Sequence, residues 1–510
     1  MHRGILAVVG IVLAACVAAV QPAGALRVEH PVASGAQVVV PRGQPIQIVV
    51  AVDDTGFGAV FGPSARNAVR MAIERHPTIH GFPIQVNAFN APCDGGSAAS
   101  LAANVATANA VVDNAQNVAV IGHPCSAEAL AWLPIYERAG IVTINGSTTR
   151  PYVPAFGPTV FDRTAVTDPA FDAWYAAVKG LSSDAAWRQS YQAEFGSAPT
   201  DFADLYFDAA TVLLRRLHEV STISRGNLVI DRAALARAVR NTTDYEGVTC
   251  AITLDPATGN RVNDPAALAR CRNRVVVPRG QSLQLAFVGS SDFPDFTTSF
   301  RNALQMATER HATIRGFPVQ VNAFDAPCFS GSDPAAANAD VAAAVVSSPQ
   351  NTAVIGQVCS VGFAGALPIY DASGVVTISG SASSDSLPVL GPSVFNRTVV
   401  SDGDGGDSWY QAITKLPSDL TWRASYQAEF GAAPMDFTDL YFDAATLLLR
   451  RLQQVSRIVN GDLVIDRAEL AEAVRHTAHF HGVTCTITLD PATGNRVNDP
   501  AALARCAGET

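Results

Sequence analysis

Eight of the nine cysteines fall in two sets of four: Cys93, Cys125, Cys250 and Cys271, then Cys328, Cys359, Cys485 and Cys506. In an exported chain an even, repeated set reads as a disulfide framework, because such pairs persist only outside reducing compartments. Four cysteines allow three pairings, and sequence does not choose among them. The expected pairs are Cys93–Cys125 and Cys250–Cys271, with Cys328–Cys359 and Cys485–Cys506 as counterparts. Metal binding is the rival chemistry, and no CxxC spacing or neighbouring histidine supports it.

Other chemistry-bearing groupings read as ordinary surface. Asp402-Gly403-Asp404-Gly405-Gly406-Asp407 resembles a calcium loop, but its glycine is misplaced and Ile413 stands where a bidentate glutamate belongs, so it reads as a flexible bridge. His476, His479 and His481 cluster, yet the first half of the chain has Asn241, Asp244 and Glu246 at the matching places. No GxSxG, HExxH or P-loop is present, and no Ser/His/Asp set recurs, so an enzyme is not expected. No cofactor is expected either.

The doubling of the cysteines extends to the whole chain. Residues 255–271, DPATGNRVNDPAALARC, return unchanged at 490–506, a spacing of 490 − 255 = 235, and VVVPRGQ, SYQAEFG and LYFDAAT recur as well. A period this long suits a whole domain, not a solenoid unit. The expected domains are residues 38–272 and 275–507. With no Pro/Ser-rich linker between them, the two copies should pack together. The 510 residues are 48% hydrophobic and 16% charged, enough to build two cores. A net charge of −10 with no basic run argues against nucleic acid as a partner.

Met1-His2-Arg3, an apolar stretch over 4–20 and Ala23-Gly24-Ala25 read as a secretory signal, residues 1–25. Leu13-Ala14-Ala15-Cys16 also reads as a lipobox that would place a lipid anchor on Cys16. Either way the protein is expected to be exported, to the periplasm or the cell surface. No later window is long and apolar enough for a membrane span.

Within each copy, apolar runs alternate with helical periodicity. In the first, strands are predicted at 46–52, 82–88, 118–122 and 141–144, with helices at 65–76, 98–112 and 126–139 between them. Helices follow at 171–178, 185–195, 201–220 and 231–240, with Asp201 as the N-cap of the third. Strands alternating with helices imply a parallel sheet covered on both faces, an α/β, Rossmann-like fold.

The order of motifs resembles the type I periplasmic solute-binding proteins, of the leucine/isoleucine/valine-binding kind that serves ABC uptake systems. The likeness is carried by Thr55-Gly56-Phe57-Gly58-Ala59-Val60-Phe61-Gly62, by Val120-Ile121-Gly122-His123-Pro124-Cys125-Ser126, and by Ile144-Asn145-Gly146-Ser147-Thr148-Thr149-Arg150-Pro151. Leu133-Pro134-Ile135-Tyr136, Phe161-Asp162-Arg163-Thr164 and Tyr206-Phe207-Asp208-Ala209-Ala210 follow in the family's order. The family's second lobe has no counterpart here, so the resemblance implies two tandem first lobes.

Carried over by position, the resemblance implies that Ser126, Ser147 and Thr149 hold an amino-acid ligand beside Phe61. In the second copy these become Ser360, Ser381 and Ser383 beside Phe296. Such positions at the carboxyl ends of parallel strands suit an anion, the more so where a helix begins. The resemblance thus implies a substrate-binding protein for branched-chain or small aliphatic amino acids, with an ABC permease as partner. A degenerate envelope scaffold or interaction protein is the alternative. Because the family's acidic partner for the ligand ammonium lies in the missing lobe, either binding is weak or the copies close over one another's crevice and supply the missing face.

Overall fold

A computed structural model of the chain describes residues 37–331, 333–459 and 461–508. The signal segment and Cys16 lie outside the described residues.

The run Ile46–Val52 forms a strand buried on both faces, as a central parallel strand must be when helices cover the sheet on either side. In chain order the first repeat contains β1 (Gln37–Val40), β2 (Ile46–Val52), β3 (Thr78–Ile79), β4 (Phe82–Asn90), β5 (Asn117–Gly122), β6 (Val142–Asn145), β7 (Phe161–Arg163), β8 (Thr222–Ser224) and β9 (Asn227–Asp231). Its main helices are α1 (Gly62–Arg75), α2 (Ala98–Asp113), α3 (Ala129–Ala139), α4 (Phe171–Lys179), α5 (Ser182–Phe195), α6 (Ala203–Val220) and α7 (Arg232–Arg240). The sheet order is β3-β4-β2-β5-β6-β7, parallel except for the β3–β4 edge. One apolar core lies under α1, α6 and α7, and a second lies under α2 and α3 on the other face.

The second repeat builds the same six-stranded order from Thr313–Ile314, Phe317–Asp325, Leu283–Gly289, Asn351–Ile355, Thr377–Ser379 and Phe395–Arg397. The fold is α/β, with one parallel-sheet lobe per repeat. In each, a three-stranded antiparallel sheet (β1-β9-β8 in the first) lies at the amino ends of the parallel strands.

Three local expectations are corrected. Asp201 does not cap α6: the cap position is Phe202, in the left-handed region at φ 69, and Asp201 lies 3.3 Å from Lys179 Nζ instead. The helix predicted from residue 126 begins at Ala129, because residues 126–128 form a turn closed by the Ala129 N–H on the Ser126 carbonyl. The Asp-Gly bridge in the second repeat is a self-tied turn: Ser401 Oγ donates to Asp404 at 2.6 Å, and Gly403 N–H donates to Asp385 at 3.2 Å.

The repeats do pack directly. The Val276 N–H donates to Ser182 Oγ at 3.0 Å, and Arg274 pairs with Glu246 at 3.0 Å. A cleft of about 450 Å³ between them is lined by Arg75, His76 and Trp187 from the first repeat and by Arg279, Asp462 and Val464 from the second. These second-repeat residues lie at the amino ends of its parallel strands. They follow the C-terminus of helix Thr438–Val455, whose start carries Tyr441 to Ser381. Eighteen residues at 1.5 Å each separate the two ends by roughly 27 Å. The second crevice therefore points away from the first repeat, and the expectation that the copies close over one another is overturned.

Candidate functional site

In a sheet whose strand order turns at β2 and β5, the loops leaving those two strands diverge and leave a crevice at their carboxyl ends. The first loop is anchored by Asp53, which is buried. Its carboxylate accepts from Thr55 N–H at 2.9 Å, Gly58 N–H at 3.0 Å and Cys93 N–H at 3.1 Å. The β5 loop is fixed by His123, also buried, whose ring bridges Asn104 at 2.7 Å and Tyr136 at 2.9 Å. Burial lowers the His123 pKa to about 3, so the ring is neutral and serves as a spacer.

The Cys93 and Cys125 sulfurs join the loop after β4 to the β5 loop, with Cα atoms 5.8 Å apart. Cys250–Cys271, Cys328–Cys359 and Cys485–Cys506 are joined likewise, the pairs expected from sequence. Beside the first disulfide, buried Glu128 accepts from Gly96 N–H at 2.9 Å and Ser100 Oγ at 3.1 Å, while its Oε2 has no protein partner. Cys93, Cys125 and Glu128 are the one close grouping of three ligand-type side chains among the described residues. With both sulfurs in the disulfide, it has no thiolate to offer a metal.

Ser126, Ser147 and Thr149 are all half-buried along this edge. Ser126 Oγ accepts the Arg150 N–H at 3.4 Å, leaving its own proton to donate. Ser147 Oγ donates to the Pro124 carbonyl at 2.7 Å and lies 2.9 Å from the Tyr206 hydroxyl. Thr149 Oγ1 donates to Asp168 at 3.1 Å, so its lone pairs stay open to a donor. Phe61 sits at the start of α1 with its ring 6.1 Å from Phe202, edge-on. Phe202 in turn stacks on Phe171 and Tyr175.

The second repeat repeats the pattern. Ser360 Oγ accepts the Ser384 N–H at 3.2 Å, and here Ser360 does open its helix. Ser381 Oγ donates to the Val358 carbonyl at 2.7 Å and lies 2.9 Å from the Tyr441 hydroxyl. The Ser383 carbonyl accepts the Asp402 N–H at 3.0 Å. Phe296 lies between Phe293 at 6.2 Å and Phe300 at 5.9 Å.

Two participants escape a reading by motif. Asp168 places a carboxylate against Thr149 and lies 3.6 Å from Arg150 Nε, an acid inside the first lobe itself. Tyr206 reads from sequence only as the first residue of a motif in the family's order, with no site role, though it reaches Ser147. The signal for both was their place next to motif residues.

A family model described as periplasmic binding protein matches residues 45–179, the span from β2 through α4. Within the first repeat, that span resembles periplasmic binding protein sequence. An amino acid binding protein of Pseudomonas aeruginosa is 32% identical over 111 residues, 21% of this chain and 28% of that relative's length. Among solved structures, a leucine binding protein, LivK, from Thermotoga maritima is similar at 16% identity and TM-score 0.23, over 89% of this chain and 93% of that one. LivJ from Streptococcus pneumoniae, a branched-chain amino acid transporter substrate binding protein solved with isoleucine, is similar at 12% identity and TM-score 0.22, over 89% and 94%. The binding-protein segment contains the first loop, the disulfide loop and the β6 loop, so Phe61, Ser126, Ser147, Thr149 and Asp168 all lie within it. Among the described residues no helix is long and apolar enough to cross a membrane.

Proposed function

We propose that this chain is an exported substrate-binding protein for a small amino acid, branched-chain or small aliphatic, serving an ABC uptake system. The observation that carries the reading is the arrangement of Ser126, Thr149 and Asp168 at one edge of the first lobe. Ser126 has a hydroxyl proton to give a carboxylate. Thr149 Oγ1 and the Asp168 carboxylate can accept from an ammonium. That pairing supplies within one lobe the acid that the resemblance placed in a missing one.

The proposed ligand residues are Ser126, Ser147, Thr149 and Phe61 in the first repeat, and Ser360, Ser381, Ser383 and Phe296 in the second. In this reading the signal segment 1–25 directs export, each repeat is a first lobe without its partner, and no chemistry is performed on the ligand. Calorimetric titration with an amino-acid panel tests it. Saturable binding that is abolished by Ser126→Ala together with Thr149→Ala supports the assignment. Binding to no amino acid refutes it and favours an envelope scaffold or interaction protein, the reading to which the uncovered crevices would then belong.

A further inference from the structure

The two crevices are not lined alike. At the mouth of the second, Phe293 and Phe329 lie 5.9 Å apart edge-on, Phe293 and Phe296 6.2 Å, and Phe296 and Phe300 5.9 Å. Phe300 then stacks on Tyr441 at 4.1 Å, and the Tyr441 hydroxyl lies 2.9 Å from Ser381 Oγ. A continuous run of rings thus leads from the surface to the serine of the β-strand loop.

The outermost ring, Phe329, is 70% exposed but firmly placed. Its N–H and those of Cys328 and Ser330 converge on Asp292 Oδ2 at 2.8, 2.7 and 3.0 Å, and Cys328 is bonded to Cys359, the neighbour of Ser360. A spacing of 235 (329 − 235 = 94, 300 − 235 = 65) gives Asp94 and Ala65 in the first repeat, and Phe293 falls in a loop two residues shorter than its counterpart. Where the second crevice has the rings of Phe329 and Phe300, the first has a carboxylate and a methyl group.

We propose that the second crevice takes an amino acid with an aromatic side chain, whereas the first takes a small aliphatic one. The proposal rests on the reading that both crevices bind amino acids. A guest ring entering the second crevice extends an edge-to-face array at the 4.5–7 Å spacing aromatic pairs favour, and it covers the exposed Phe329. The same ring in the first crevice would lack the outer ring that Phe329 supplies and would desolvate Asp94 without pairing it.

The test is calorimetric titration of the full chain with phenylalanine and with leucine, before and after Phe293→Gly with Phe329→Asp, which removes the two outer rings of the run. Loss of two ring contacts is expected to weaken phenylalanine binding about tenfold, with leucine binding unchanged. Phenylalanine affinity that does not move overturns the proposal. Failure of both ligands to bind the unmodified chain overturns the amino-acid reading beneath it. Phe329→Asp alone, at a position this exposed, is the control against misfolding and should weaken phenylalanine binding several-fold.

Discussion

The hydroxyls of Ser147 and Tyr206 lie 2.9 Å apart, and those of Ser381 and Tyr441 lie at the same distance in the second repeat. The bond ties the β6 loop to the start of α6 and sets the direction in which Ser147 donates. Tyr206→Phe keeps the ring and removes only this partner. It should cost about 0.5–1.5 kcal/mol of stability in denaturant titration. Ligand affinity should fall at the first crevice and stay unchanged at the second, a split that calorimetry with crevice-selective ligands resolves.

Cys93–Cys125 and Cys328–Cys359 each fasten the loop after the edge-side parallel strand (Phe82–Asn90 or Phe317–Asp325) to the serine loop, whereas Cys250–Cys271 and Cys485–Cys506 lie beyond the crevice. Replacing both members of any pair by serine should cost about 2–4 kcal/mol. Only the first two replacements should also weaken ligand binding. Thermal unfolding and titration on the same four variants separate the two effects.

Arg188 bridges two buried acids, Asp184 at 2.6 Å and Asp204 at 3.0 Å, and Arg423 bridges Asp419 and Asp439 likewise. Burial, reinforced by the Asp204 charge, pushes the Asp184 carboxyl from 3.8 up to about 8, and Asp419 follows for the same reasons. The folded chain therefore keeps protons that the unfolded chain releases above its ordinary value. Stability from these groups is full below about pH 4 and is lost as pH rises toward about 8. Asn mimics the protonated acid, so Asp184→Asn with Asp419→Asn should flatten the profile. Melting temperatures at pH 5 and pH 8 should differ by on the order of 5 °C in the unmodified chain and by less in the variant.

Gly259 closes the Asp255 turn at φ +70, and its backbone carbonyl accepts the Arg163 N–H at 3.0 Å. A Cβ there would sit 2.1 Å from the Phe161 carbonyl oxygen. Gly259→Ala must therefore move the turn off the edge of β7, and it should destabilise by more than about 1 kcal/mol. Gly494→Ala, with the same 2.1 Å approach to Phe395, should behave alike. Chemical denaturation checks both.

What the sequence disclosed depended on how strongly burial marks composition. The run Ile46–Val52 was legible to the residue because a strand covered on both faces admits little but apolar side chains. β7 was not, since Asp162 and Arg163 are buried by pairing with Arg240 and by donation to the Thr148 and Arg150 carbonyls, and polar strands carry no such signature. The short β1, β8 and β9 went unread because three to five residues give too few periods to count. Asp201 misled because a good capping residue is informative only if the backbone before the helix is extended, and Phe202 is left-handed there. Asp168 was visible as a letter but not as a neighbour of Thr149, for that contact spans 19 positions across a loop.

The junction between repeats joins unlike faces: a flank of the first, through Ser182 and Glu246, meets the leading strand of the second, through Val276 and Arg274. Head-to-tail contacts of this kind do not close on themselves and could in principle continue without end. The outward faces are altered at the same positions. Pro417 stands where Ser182 offers its hydroxyl, His481 stands in place of Glu246, and Gln37 stands in place of Arg274. A third unit would find neither the acceptor for its strand nor the ion pair for its arginine. The two outward faces thus lack the side chains that make the junction between the repeats.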